Sequence, residues 1–297
     1  MKKFICDSHV HFWDIDKLNY NWLQNVSDLN RSFLPTDFLQ VSTADELIFV
    51  QAECAPEQVL EEVSIISAFA KTYPIIQGIV AQAALEKGGQ IKFHLDQLKS
   101  NPLVKGVRRL LQSEQNDFCL QNDFIIGVQM LSEYDFSFDV CIKAPQLIAV
   151  TELVKRCPAV TFILDHLGKP DIAGRQFKSW QADFSQLALQ PNVVCKLSGL
   201  ITEANHSAWQ PEDIYPYVLH AVDVFGEDRL MFGSDWPVMN LAGNYQQWLE
   251  VVSNILSEFP ESTQHKIFYQ NAMKYYSSRR PVTCPRDPVT KAVMRVS

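Results

Sequence analysis

Nowhere in its 297 residues does the chain carry an uninterrupted apolar run near the roughly 18 residues of a membrane span. Its opening, MKKFICDSHVHFWD, is broken at Asp7 and His9, so no signal-peptide core is expected there. No CxxC pair occurs. The seven cysteines (Cys6, Cys54, Cys119, Cys141, Cys157, Cys195, Cys284) are odd in number, scattered and often set in apolar runs, where a thiol serves as a small hydrophobe. That pattern excludes a disulfide framework and a thiolate zinc site. A GxGxxG turn is also missing, which disfavours a doubly wound open sheet. Lys+Arg 26 against Asp+Glu 34 leaves a net charge of -8, with no basic block in the body to attract nucleic acid or anionic lipid. Low-complexity tracts and solenoid repeats are absent as well. These absences predict a soluble, reduced, cytoplasmic protein, a monomer or homodimer, with no nucleic-acid or membrane partner.

What is present is enough apolar material, 47% of the chain, for a large core. It is divided into short runs: FICDSHVHF from Phe4, LIFVQAE from Leu47, IIQGIVAQA from Ile75 and VKGVRRLL from Val104. FDVCIK from Phe138, TFILDHLG from Thr161, VVCKLSG from Val193 and LMFGSDWP from Leu230 complete the set. Each reads as a strand stopped by Gly, Pro or a polar residue. Between them lie stretches such as EQVLEEVSIISAFAKTY, with apolar residues three and four apart as on a helix face. Eight strands alternating with helices predict an α/β chain closed as a distorted (β/α)8 TIM barrel over residues 1–276. The aromatic stretch from about Asp14 to Asp45 reads as a long irregular loop. Residues 277–297 read as a basic, Pro-containing C-terminal tail.

The polar residues gather at strand ends. Side chains two apart on a strand share a face, so His9 and His11 converge on one point, at the pole where barrel active sites lie. Such a pair suits a divalent metal or a substrate carbonyl, although two half-buried histidines with backbone partners would look the same. His166 stands where the sixth run breaks, Lys196 lies inside an apolar run, and Asp235 ends the last one. Read singly, these could be a core histidine, a snorkelling lysine and a helix cap. Together they are hard to explain as packing. Glu53 ends the second run as a further ligand candidate. Arg108 and Arg109 point to opposite faces of a regular strand, so one of them reaches the mouth, where its fork would suit a polyhydroxylated or carboxylate substrate. Tyr20, Trp22, Phe33 and Trp236 are candidate walls of a small-ring pocket.

DSHVHFWD, YNWL, RSFLPTDFL, FVQAE, GVRRLL, LDHLGKP, CKLSG and FGSDWP occur in this order from Phe4 to Tyr276. As an ordered set they resemble the amidohydrolase-2 branch of the amidohydrolase superfamily, and within it sugar lactonases of the L-fuconolactonase and L-rhamnonolactonase kind. The resemblance implies a hydrolase that opens a small sugar lactone. It also implies a mononuclear site at His9, His11, His166 and Asp235, filled by a divalent metal such as zinc, or metal-free as in some lactonases of the branch. The bridging carboxylated-lysine pattern of binuclear relatives is missing.

Ester hydrolysis needs an activated water, an oxyanion stabiliser and a proton for the leaving alkoxide. Asp235 is the expected base, and His9, His11 and His166 the metal ligands or carbonyl polarisers. Lys196 and one of the two arginines are expected to bind the oxyanion or sugar hydroxyls. Substrate contacts are also expected from Glu53, Trp22 and Trp236. A metal-dependent decarboxylase of an unsaturated or aromatic acid is the nearest rival. A pyrone-dicarboxylate lactonase and a non-catalytic sugar-binding barrel follow.

Overall fold

The computed structural model describes residues 4–276. Every apolar run named above forms a strand: β1 Cys6–Val10, β2 Glu46–Val50, β3 Ile76–Gln82, β4 Val104–Leu110, β5 Ser137–Cys141, β6 Phe162–Leu164, β7 Val193–Leu197 and β8 Leu230–Phe232. They pair in parallel, in chain order, in one eight-stranded sheet. The ends of the sheet meet just beyond β8. His11 N donates to Trp236 O at 2.8 Å and Asp235 N to His9 O at 2.9 Å, beside a Val10–Trp236 bridge. Asp7 reinforces the seam, its carboxylate accepting from Ser234 N at 2.8 Å. The sheet is thus a nearly closed barrel. The tail expected over 277–297 lies outside the described residues.

Helices follow the strands: α1 Pro35–Val41, α2 Val59–Thr72, α3 Lys92–Lys99, α4 Asn122–Met130, α5 Leu147–Arg156, α6 Phe177–Ala188, α7 Pro211–Phe225 and α8 Tyr245–Leu256. Local chemistry starts several of them. Pro35 and Pro211 open α1 and α7, where a missing N–H costs nothing. Asn244 and Gln247 cap α8 reciprocally, each side chain accepting from the other's backbone N–H at 3.0 Å. The stretch expected as one loop from Asp14 to Asp45 is therefore partly helical. Its aromatics Tyr20, Phe33 and Phe38 are buried in the core, as is Trp13 just before it.

Parallel strands covered on both faces need apolar residues on each. Leu47, Phe49, Phe138, Phe162, Leu230 and Phe232 pack outward against the helices. Ile48, Val50, Val80, Ile163, Val194 and Met231 form a separate inner cluster with Cys6, Ala272 and Tyr276. Two short further helices, α9 Glu261–His265 and α10 Asn271–Tyr275, follow α8. The α10 segment covers the floor of the barrel, Asn271 Nδ2 donating to Glu227 O and Leu230 O at 2.7 Å each. Above that floor the inward positions turn polar, in the order Arg108, Asp139, Asp165, Lys196 and Asp235. Among the described residues no helix is long and apolar enough to cross a membrane.

Candidate active site

His9 and His11 meet Asp235 because β1 and the end of β8 are hydrogen-bonded neighbours. His9 Nε2 is 3.2 Å from His11 Nε2. Asp235 Oδ1 is 3.6 Å from His9 Nε2, 3.3 Å from His11 Nε2 and 3.8 Å from His166 Nε2. All four residues are at most 4% exposed. The backbone is bent to bring them together. Asp235 (φ 65°) and His166 (φ 55°) are left-handed, a conformation that costs on the order of 1–3 kcal/mol without glycine. Two glycines make room. A Cβ on Gly233 would lie 2.9 Å from His9 Cβ, and one on Gly199 would lie 2.4 Å from His166 Nδ1.

The second nitrogen of each imidazole is also engaged. His11 Nδ1 is 2.8 Å from Val50 O, and a carbonyl only accepts, so Nδ1 carries the proton and Nε2 keeps a lone pair toward the cluster. His166 Nδ1 is 2.9 Å from Ser198 Oγ. His9 Nδ1 is 3.2 Å from Asp165 Oδ1 and 3.1 Å from Lys196 Nζ. Burial, aided at His9 by the Lys196 charge, lowers all three imidazoles, His166 to about 4. They are neutral near pH 7, the state that ligates metals. Burial pushes the Asp235 carboxyl up, but His166, His11 and His9 outweigh it and hold it below the usual carboxylate range.

This donor set fits a divalent ion. In a tetrahedral site with ligand bonds of about 2.0–2.1 Å, the ligand atoms lie roughly 3.4 Å apart. The observed 3.2, 3.3 and 3.6 Å edges of the His9, His11 and Asp235 triangle match that spacing. Their ligating atoms all fall within 4.8 Å of one another, as do those of His9, Asp165 and His166.

Of the two arginines, Arg108 faces the cluster. It is 4% exposed, with Nη1 3.3 Å from His9 Nε2 and 3.5 Å from Asp165 Oδ2, and Nη2 donating to Gln51 O at 2.5 Å. Arg109 faces the helices and pairs with Glu86 (3.0 Å) and Glu114 (2.6 Å), which removes it from the expected substrate contacts. Lys196 also departs from expectation. It is 0% exposed, below His9, held by Asp139 Oδ2 at 2.6 Å and Asp165 Oδ1 at 3.0 Å, so its charge positions His9 and does not face the mouth. Trp236 is core, packed edge-on against Phe12, Phe33 and Phe38. Tyr20 and Phe33 are buried too. Trp22 is half-buried, donating to Ala52 O at 2.8 Å, and Glu53 beside it is exposed.

Asp139, Asp165, Ser198 and Tyr276, whose hydroxyl donates to Asp139, were not singled out from the sequence. For Asp139 the signal was available. It is a charge between Phe138 and Val140, the same anomaly that marks Lys196.

The amidohydrolase family model matches residues 6–277. An L-fucono-1,5-lactonase of Burkholderia ambifaria is 30% identical over 290 residues, spanning 94% of this chain and 97% of that protein. An L-fucono-1,5-lactonase of Burkholderia multivorans is 33% identical over 271 residues, 86% and 88% of the two chains. The crystal structure of a Burkholderia multivorans amidohydrolase with bound zinc superposes with a TM-score of 0.83 at 30% identity, covering 92% of this chain and 99% of that one.

Proposed function

The chain belongs to the amidohydrolase family, and from that premise we propose that it opens a small sugar lactone, an aldonolactone of the L-fucono or L-rhamnono type, to the hydroxy acid. The observation that carries the reading is the convergence of three imidazole Nε2 atoms on Asp235 Oδ1, at 3.3–3.8 Å, in the mouth of a barrel similar to named lactonases.

His9, His11 and Asp235, with His166 beside them, would hold a divalent ion, which we take to be zinc. When bound, it supplies Lewis acidity that makes water more acidic and polarises an ester carbonyl. Asp235 on its own is a weak base for ordinary water, because an aspartate carboxyl ordinarily titrates near 3.9. Its part is to accept a proton from the attacking water and to return it to the ring oxygen as the ester C–O bond breaks. Arg108 donates from the side of β4 to the carbonyl oxygen as negative charge develops there. Glu53 and Trp22 stand over the β2 end, where a ring hydroxyl would be held.

Acid release from a panel of aldonolactones, before and after chelation and after zinc is restored, tests this function. Turnover that falls on chelation and returns with zinc is expected. No acid release from any lactone, with CO2 released from an unsaturated acid, would establish the decarboxylase instead.

A further inference from the structure

Four successive residues at the end of β6, His166, Leu167, Gly168 and Lys169, adopt left-handed φ values of 55°, 53°, 70° and 48°. Only one of them is glycine, so the turn carries strain at three positions. Bringing His166 into the cluster accounts for its start. Its end carries Lys169, whose ammonium lies within electrostatic reach of Asp235, Arg108, Cys141 and Glu203. Lys169 Nζ is 3.5 Å from Glu203 Oε1, on the segment that follows β7.

A tie between two loops is the plain reading of this ion pair. The loops are already joined by backbone, however, Ala173 N donating to Glu203 O at 3.0 Å. Lys169 O is separately occupied by Ala144 N at 3.3 Å. At 3.5 Å the side-chain pair is long, and its members are 18% and 23% exposed, against at most 5% for the side chains of the histidine and aspartate cluster. They are the water-facing continuation of a buried site. β6 lies four strands from β2 in an eight-stranded ring, so the pair stands across the mouth from Glu53.

Resting on the lactonase reading, we propose that Lys169 and Glu203 form a hydroxyl-recognising subsite that fixes the orientation of a polyhydroxylated ring over Asp235. The chemistry is complementary. An ammonium only donates and a carboxylate only accepts, whereas each sugar hydroxyl does both, so neighbouring hydroxyls can bridge the two charges. A hydroxyl-free ring would leave the pair merely joined to itself, and the pair would then favour sugar lactones over simple ones.

The test compares wild type, Lys169→Met, Lys169→Arg and Glu203→Gln on an aldonolactone and on analogues of it that each lack one ring hydroxyl. Lys169→Met and Glu203→Gln are expected to raise KM about 10- to 100-fold, with kcat changing far less. Lys169→Arg should recover part of the loss. Removing one particular hydroxyl should penalise the wild type and cost Lys169→Met little. Loss confined to kcat, an equal penalty from every analogue in both proteins, or unchanged kinetics in both variants overturns the subsite. A wild type that opens no lactone at all overturns the lactonase reading, and the subsite falls with it.

Discussion

Lys196 Nζ lies 3.1 Å from His9 Nδ1 and 2.6 Å from Asp139 Oδ2, with both side chains of the ion pair fully buried. The ammonium thus lies beneath the imidazole and is held between the carboxylates of Asp139 and Asp165. Removing one partner of a buried ion pair typically costs about 3–5 kcal/mol, because the remaining charge is left without compensation. Lys196→Met should lower stability by that order in urea unfolding. Adding Asp139→Asn should cost less than the sum of the two single changes. A Lys196→Met protein as stable as the wild type would show that the ammonium does not compensate these carboxylates.

Arg108 and Arg109 should behave oppositely despite being neighbours. Arg108→Ala removes a buried donor beside His9, and kcat/KM should fall roughly 100-fold, as when a charged hydrogen bond is lost in a buried site. Arg109→Ala breaks a partly exposed pair with Glu86 and Glu114, worth about 1 kcal/mol or less, and should leave turnover within about threefold. Steady-state kinetics of the two variants decide it. Equal losses would mean that β4 does not present Arg108 alone to the mouth.

A pH effect on stability is expected from Glu62, on α2. It is 1% exposed and accepts from Ala52 N at 3.1 Å, and burial raises its carboxyl to about 7. The folded chain binds this proton more tightly than the unfolded chain, whose glutamate titrates near 4.3. Its contribution, on the order of 3 kcal/mol, is present in full below that value and is lost as pH rises through about 7. Glu62→Gln mimics the protonated form. The wild type should therefore lose stability relative to Glu62→Gln between about pH 4.5 and 7. Denaturant midpoints with a constant difference across that range would contradict the assignment.

The strands were legible because each is short, apolar on both faces and ended by a turn residue. His9, His11, His166 and Asp235 could be read as one site because a parallel barrel delivers every strand end to one pole. Which arginine faces inward was not legible, since strand phase depends on pairing. Arg108 lies opposite Asp139 in the β4–β5 register, and that settles it. The inward position of Lys196 was visible as a charge in an apolar run, but its depth was not. Only the partners Asp139 and Asp165 show that it lies under the site. Trp236 misled for a related reason, because aromatic residues line pockets and fill cores with the same composition. The left-handed turn from His166 to Lys169 has no composition signal, as a single glycine marks four such residues.

The role of Asp235 is best tested by Asp235→Asn, assayed for acid release from an aldonolactone alongside calorimetric binding of the aldonate. With the proposed proton relay removed, turnover should fall by about 100- to 10,000-fold while the aldonate still binds. An Asn variant that opens the lactone within about threefold of wild type would contradict the account.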